Sequence, residues 1–191
     1  FCLSRGLGDV YKRQAYSQQK FAPENGDRLV LLGNALIENE QQFGFLEYRP
    51  TNYWPEKHLT FRNIGWSGDT VFGDARSYYT NPPGPYDLLI SQIKAAEPDW
   101  LIIGYGNVEA QQGAEGLDLF KNGMNQLLDS VEAIGAKAIL LSTIPQISAG
   151  TENLLQLRNN EYRSYNQAIK EIALVRKITF LDVFDAFNTA T

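Results

Sequence analysis

Five short apolar runs alternate with longer amphipathic stretches along this chain. Leu29–Leu32 is continuously apolar, the pattern of a strand buried on both faces. Leu36–Tyr48 then reads as a helix with Ile37, Phe43 and Leu46 available for one face and Pro50 beyond its end. Leu59–Ile64 is a second strand, and Asp69 stands where it would cap a helix running through Val71, Phe72 and Ala75. Asn81-Pro82-Pro83-Gly84-Pro85 is a turn cluster, followed by a helix over Tyr86–Ala96 and a third strand over Trp100–Ile103. Leu117–Ile134 carries the clearest helical period, through Leu117, Phe120, Met124, Leu127, Leu128 and Val131, and Gly135 is its stop. Ala138–Leu141 is the fourth strand, Glu152–Lys177 is largely helical, and Ile178–Val183 is the fifth strand.

Strands alternating with helices, without an internal repeat, predict a parallel sheet covered on both faces. The expected fold class is therefore α/β, a three-layer α/β/α sandwich with a five-stranded parallel sheet in the flavodoxin-like order 2-1-3-4-5. In such sheets ligands sit beyond the carboxyl ends of the strands, near the point where the strand order reverses. Gly33-Asn34-Ala35, Trp66–Asp69 and Gly104–Glu109 all fall at strand carboxyl ends, so three separate regions are expected to converge on one crevice.

Composition narrows the function classes. The 191 residues, 43% hydrophobic and 20% charged, suit one domain with a sizeable core. No apolar run approaches the length needed to span a bilayer. A net charge of −5 without a basic stripe argues against a nucleic-acid partner. The first fourteen residues, Phe1 to Gln14, resemble an adaptor-derived leader that recurs on translated environmental-sequence fragments, and they are set aside from the fold. The only cysteine, Cys2, lies in that leader, which leaves no disulfide, zinc site or thiol nucleophile in the remainder. Residues 15–25 then form an extended lead-in, and residues 26–191 form the domain, which is expected to be incomplete at its C-terminus. Localisation stays open, with an extracytoplasmic (periplasmic or secreted) site favoured.

Two stretches carry a family resemblance. Arg28-Leu29-Val30-Leu31-Leu32-Gly33-Asn34-Ala35-Leu36-Ile37-Glu38 resembles the first block of the SGNH (GDSL-type) hydrolase and esterase family, and Asn63-Ile64-Gly65-Trp66-Ser67-Gly68-Asp69-Thr70 resembles its second. The likeness spans roughly residues 26–187 by order of elements and blocks. It is similar to a degenerate subgroup in which Gly-Asn-Ala replaces Gly-Asp-Ser. The resemblance implies the SGNH hydrolase fold and an acyl-ester hydrolase that needs no cofactor and no metal.

Acyl transfer needs a nucleophile, a base, and donors aimed at the developing oxyanion. By resemblance, Ala35 occupies the nucleophile position, so the serine is absent. Gly68 matches the oxyanion-hole glycine, and it also reads as a turn glycine needing positive φ. The third block, Gly-x-Asn-Asp in the family, aligns with Gly106, Asn107, Val108 and Glu109. Val108 then stands at the donor position, and Asn107, one residue early, is a possible oxyanion donor or an ordinary turn residue. Asn34 replaces the first-block aspartate. Asn34, Trp66, Ser67, Tyr105 and Glu109 are candidate substrate-binding residues, with Phe72 a further aromatic for a sugar or acyl rim. Glu38 and Glu109 form a possible carboxylate pair in the crevice, against the plainer reading of solvated glutamates. His58, the only histidine, lies at the amino end of its strand, opposite the crevice. By resemblance, the family's Asp-x-x-His is expected to follow Phe180–Phe187, beyond Thr191.

Two functions remain in view. One is an SGNH-type ester hydrolase lacking nucleophile and base in this chain. The other is a non-catalytic domain that binds a carbohydrate or small ester in the same crevice. A flavodoxin-like nucleotide-binding module is a weaker third, because no Gly-x-Gly-x-x-Gly or P-loop is present.

Overall fold

The computed structural model describes residues 20–76, 83–148 and 150–185. The leader, residues 15–19 of the lead-in, Asn81 and Pro82 of the turn cluster, and the segment after Asp185 lie outside them. Among the described residues five parallel strands form one sheet: β1 (Arg28–Gly33), β2 (Thr60–Asn63), β3 (Trp100–Gly104), β4 (Lys137–Leu141) and β5 (Thr179–Leu181). Their spatial order is β2-β1-β3-β4-β5, as the alternation of runs predicts.

The apolar runs divide their side chains between two cores. Val30, Leu32, Leu101, Ile103 and Leu140 face one side, where Leu89 and Ile93 of α3 (Pro85–Ala96) meet them. The helical stripe of α4 (Leu117–Ile134), and Ala168, Ile169 and Ile172 of α5 (Glu152–Arg176), close that layer. Leu29, Leu31, Ile102 and Ile139 face the other side with Ile37 of α1 (Ala35–Phe43). Leu46 of α2 (Phe45–Tyr53) and Phe21 of the lead-in pack against this second core. A strand whose alternate residues are both fully buried must be covered on both faces, which makes the domain a three-layer sandwich.

The local corrections have physical causes. The helix expected over Leu36–Tyr48 is two helices, because Gly44 adopts a left-handed conformation (φ 66°) between them. Pro50 lies inside α2 rather than beyond it. Glu40, buried on α1, accepts from the Leu46 N–H at 2.8 Å and so satisfies a free amide at the start of α2. The helix expected after Asp69 is reduced to turns and a single 3-10 turn at Asp74–Arg76. Glu109–Gly116, which shows no helical period, forms a 3-10 stretch broken at Gly113.

At the end of β1, Gly33 pairs in register with Gly104 of β3. A Cβ on Gly33 would lie 2.5 Å from the Gly104 carbonyl oxygen and 2.6 Å from Ile37 Cγ1. The glycine is thus required by a close approach of two strands and a helix, whatever its functional role. Gly33→Ala is expected to cost about 1–3 kcal/mol of stability, as overpacking against backbone does. Chemical denaturation measures it, and a change under about 0.5 kcal/mol would show that the strands can part freely.

Candidate functional site

The site begins where β1 ends. Gly33 accepts the Trp66 N–H at 2.9 Å, which ties the loop after β2 to the end of β1. Asn34 caps α1 without a side-chain cap bond, and the Glu38 N–H closes the first turn on its carbonyl at 3.0 Å. Ala35 opens α1 and is exposed. Asn34 itself is only 3% exposed, and among the described residues its buried amide Nδ2 has no hydrogen-bond partner.

The second loop is fastened to α1 by a carboxylate. Glu38 accepts from the Ser67 N–H at 3.0 Å and from the Ser67 hydroxyl, so the residue before Gly68 is held from two atoms. Gly68 adopts φ 79°, and a Cβ there would meet nothing within 4 Å. Conformation rather than crowding therefore selects glycine at this position. Gly68 and Ser67 are exposed, and Trp66 is half-exposed.

Behind these residues lies a buried polar network. Asp69 and Arg76 form an ion pair at 2.8 Å with both side chains essentially inaccessible. Tyr105 donates its hydroxyl to the same Asp69 oxygen at 2.6 Å. Arg76 also donates to the Ile64 carbonyl at 2.8 Å and to Gln92. Burial, followed by the charge of Asp69, pushes the Tyr105 hydroxyl well above its ordinary range. Tyr105 therefore serves this network as a neutral donor.

Glu109 closes the third side. One oxygen accepts from Val71 N–H and the other from Gly106 N–H, both at 2.9 Å. The carboxyl thus straps the loop after β3 to the loop carrying Gly68. Burial raises its pKa to about 7, against the lowering effect of its backbone hydrogen bonds. Beside it lies a cavity of about 270 Å³ lined by Thr70, Phe72, Gln112 and Phe120 among others.

The residues singled out in the sequence fall in two sets. Asn34, Ala35, Trp66, Ser67 and Gly68 come together through the Trp66–Gly33 and Glu38–Ser67 bonds. Tyr105 and Glu109 lie beneath them, buried in the support. Glu38 and Glu109 bind separate backbone groups rather than each other. The Asn107 amide is committed to Ile144, donating to its carbonyl at 3.0 Å and accepting from its N–H at 3.2 Å. The Asn107 side chain thus joins the loops after β3 and β4. His58 bonds through its backbone to Asn25 at the amino end of the sheet. The Asp69–Arg76–Tyr105 network escapes sequence reading, since Asp69 resembles a helix cap and nothing local pairs it with Tyr105. That Asn34 Nδ2 is buried with no partner among the described residues is visible only in three dimensions.

This architecture, a 2-1-3-4-5 parallel sheet with its crevice at the strand ends, is that of the SGNH-type α/β hydrolases. The model of the GDSL-like lipase/acylhydrolase family matches residues 31–191, and the chain belongs to that family. No curated protein gives a significant match. Among solved structures, a catalytic variant of the acetylxylan esterase Axe2 from Geobacillus stearothermophilus is similar at a TM-score of 0.68 and 17% identity, covering 88% of this chain and 81% of its own. A second catalytic variant of Axe2, with its serine replaced by alanine, gives 0.66 at 18% identity and the same coverage. An α/β hydrolase from the metagenome of Lake Arreo, Spain, gives 0.65 at 15% identity, covering 88% of this chain and 82% of that one. At these identities the likeness is one of fold.

Proposed function

We propose that this domain binds a carbohydrate ester, or a similar small ester, in the crevice of an esterase fold without hydrolysing it. One observation carries the reading. The residue that opens α1 at the mouth of the crevice, Ala35, is exposed and offers a methyl group where acyl transfer needs a nucleophilic oxygen. Two further facts support it. His58, the only histidine in the 191 residues, sits at the opposite end of the sheet from Ala35. The Asn107 amide is engaged by Ile144 instead of being free to donate to an oxyanion. Catalytic variants of the acetylxylan esterase of similar fold replace a serine, an aspartate and a histidine.

The features retained are those that recognise rather than react. The N–H groups at the start of α1 and at Gly68 remain as donors. Trp66 supplies an exposed ring at the same mouth, where it can lie against a sugar face. A reading as a latent enzyme would need only the serine restored. Ala35→Ser is therefore the test. It is expected to leave hydrolysis of acetyl and aryl esters within about twofold of the parent, because the only histidine, His58, lies at the opposite end of the sheet from residue 35. A covalent adduct with a fluorophosphonate in the parent, or robust turnover in Ala35→Ser, would contradict the proposal.

A further inference from the structure

A second feature lies beside the crevice, on the flank of the sheet. A shallow groove of about 440 Å³ runs between β2 and α3, lined by Arg62, Asn63, Trp66, Arg76, Gln92 and small residues of α3. Trp66 links it to the crevice, since it stands two residues before Gly68. The chain as a whole carries a net charge of −5, yet among the described residues this groove is lined by two arginines and no carboxylate.

The two arginines differ in availability. Arg76 is spent on Asp69, Gln92 and the Ile64 carbonyl, and its guanidinium carbon lies 5.9 Å from the Trp66 ring centroid. That distance is within cation–π range of the indole. Trp66, 48% exposed, leaves much of its ring open for a ligand to stack on. Arg62 is exposed on the edge strand, its side chain making no hydrogen bond or ion pair with any described residue. An unpaired guanidinium fork in an acid-free groove suits a carboxylate, which it can hold in a two-point contact.

We infer that this groove is a subsite for an acidic sugar, a hexuronic acid unit whose ring lies on Trp66 and whose carboxylate is held by Arg62. The inference rests on the reading of the crevice as a carbohydrate-ester site, because it places the acidic unit next to the ester. It names a substrate class: a polysaccharide fragment that carries both ester groups and uronic acids.

The test uses the intact chain in NMR titrations, with glucuronate, glucose and acetylated xylobiose as separate probes. Glucuronate is expected to shift the Trp66 indole N–H signal, with glucose at least about threefold weaker. Arg62→Gln is expected to weaken glucuronate by about threefold to fivefold and to leave acetylated xylobiose, read at the Gly68 amide, unchanged. Equal affinity for glucuronate and glucose, or insensitivity to Arg62→Gln, would overturn the subsite. If Trp66 responds to glucuronate as expected while Gly68 ignores acetylated xylobiose, the crevice reading fails and the subsite stands alone. If Gly68 responds and Trp66 does not respond to glucuronate, the subsite fails and the crevice reading survives.

Discussion

Asp69→Ala is expected to destabilise the domain by about 3–5 kcal/mol, the usual consequence of removing one partner of a buried ion pair. Asp69 is fully buried, and Arg76 is 5% exposed. The loss takes from the buried Arg76 guanidinium its Asp69 counter-charge, and it leaves the Tyr105 hydroxyl without its acceptor. For a domain of this size the melting temperature should fall by roughly 10 °C. The same pair is a poor measure of what ions add to stability, since an apolar replacement of both members is often tolerated. Adding Arg76→Met to Asp69→Ala is therefore expected to recover part of the loss. Thermal and urea unfolding of the two single variants and the double variant separate these contributions. A single-variant loss below about 1 kcal/mol would mean that the pair behaves as a surface contact.

The second large effect is a dependence on pH. Glu109 titrates near 7 in the folded chain, above the ordinary carboxyl value of 4.5. Between those values the folded state holds a proton that the unfolded state has released. Its contribution to stability is therefore full below about pH 4.5 and is lost as the pH rises to about 7. The loss amounts to about 3 kcal/mol across that window, taking 1.36 kcal/mol per pH unit. Glu109→Gln removes the titrating group and should flatten this part of the profile. Its absolute stability should be lower at acid pH, because the Gln amide sets N–H donors against the Val71 or Gly106 N–H. Urea midpoints at half-unit steps from pH 5 to 8 give the slope directly. A parent profile that rises with pH as steeply as it is expected to fall would contradict the assignment.

The sequence shows the sheet well and the site only in part, for reasons that are physical. Leu29–Leu32, Trp100–Ile103 and Ala138–Leu141 are legible as strands because burial on both faces allows no polar residue to interrupt them. The stripe of α4 is legible because one face meets the core over five turns. The α1–α2 break is harder to see, since Gly44 sits within an otherwise helical run and its neighbour α2 accommodates Pro50. At the site, the two loops that meet at Gly33 carry the family's blocks and are readable as such. Their support is not. Asp69 and Glu109 look like ordinary capping and loop acids, and only the fold brings them to Arg76, Tyr105, Val71 and Gly106. Asp69 meets Tyr105 and Glu109 meets Val71 across 36 and 38 residues, so no local period announces those contacts.

In the proposed function this member of the GDSL-like family holds an ester without cleaving it. Acetylated xylobiose incubated with the intact chain, followed by proton NMR for both binding and free acetate, separates binding from hydrolysis in one experiment. Shifts at the Gly68 amide are expected on titration, with acetate release over a day no faster than in a sample without protein. Acetate release that clearly outpaces that control, and that falls when Gly68 is replaced by valine, would show a working hydrolytic site and contradict the account.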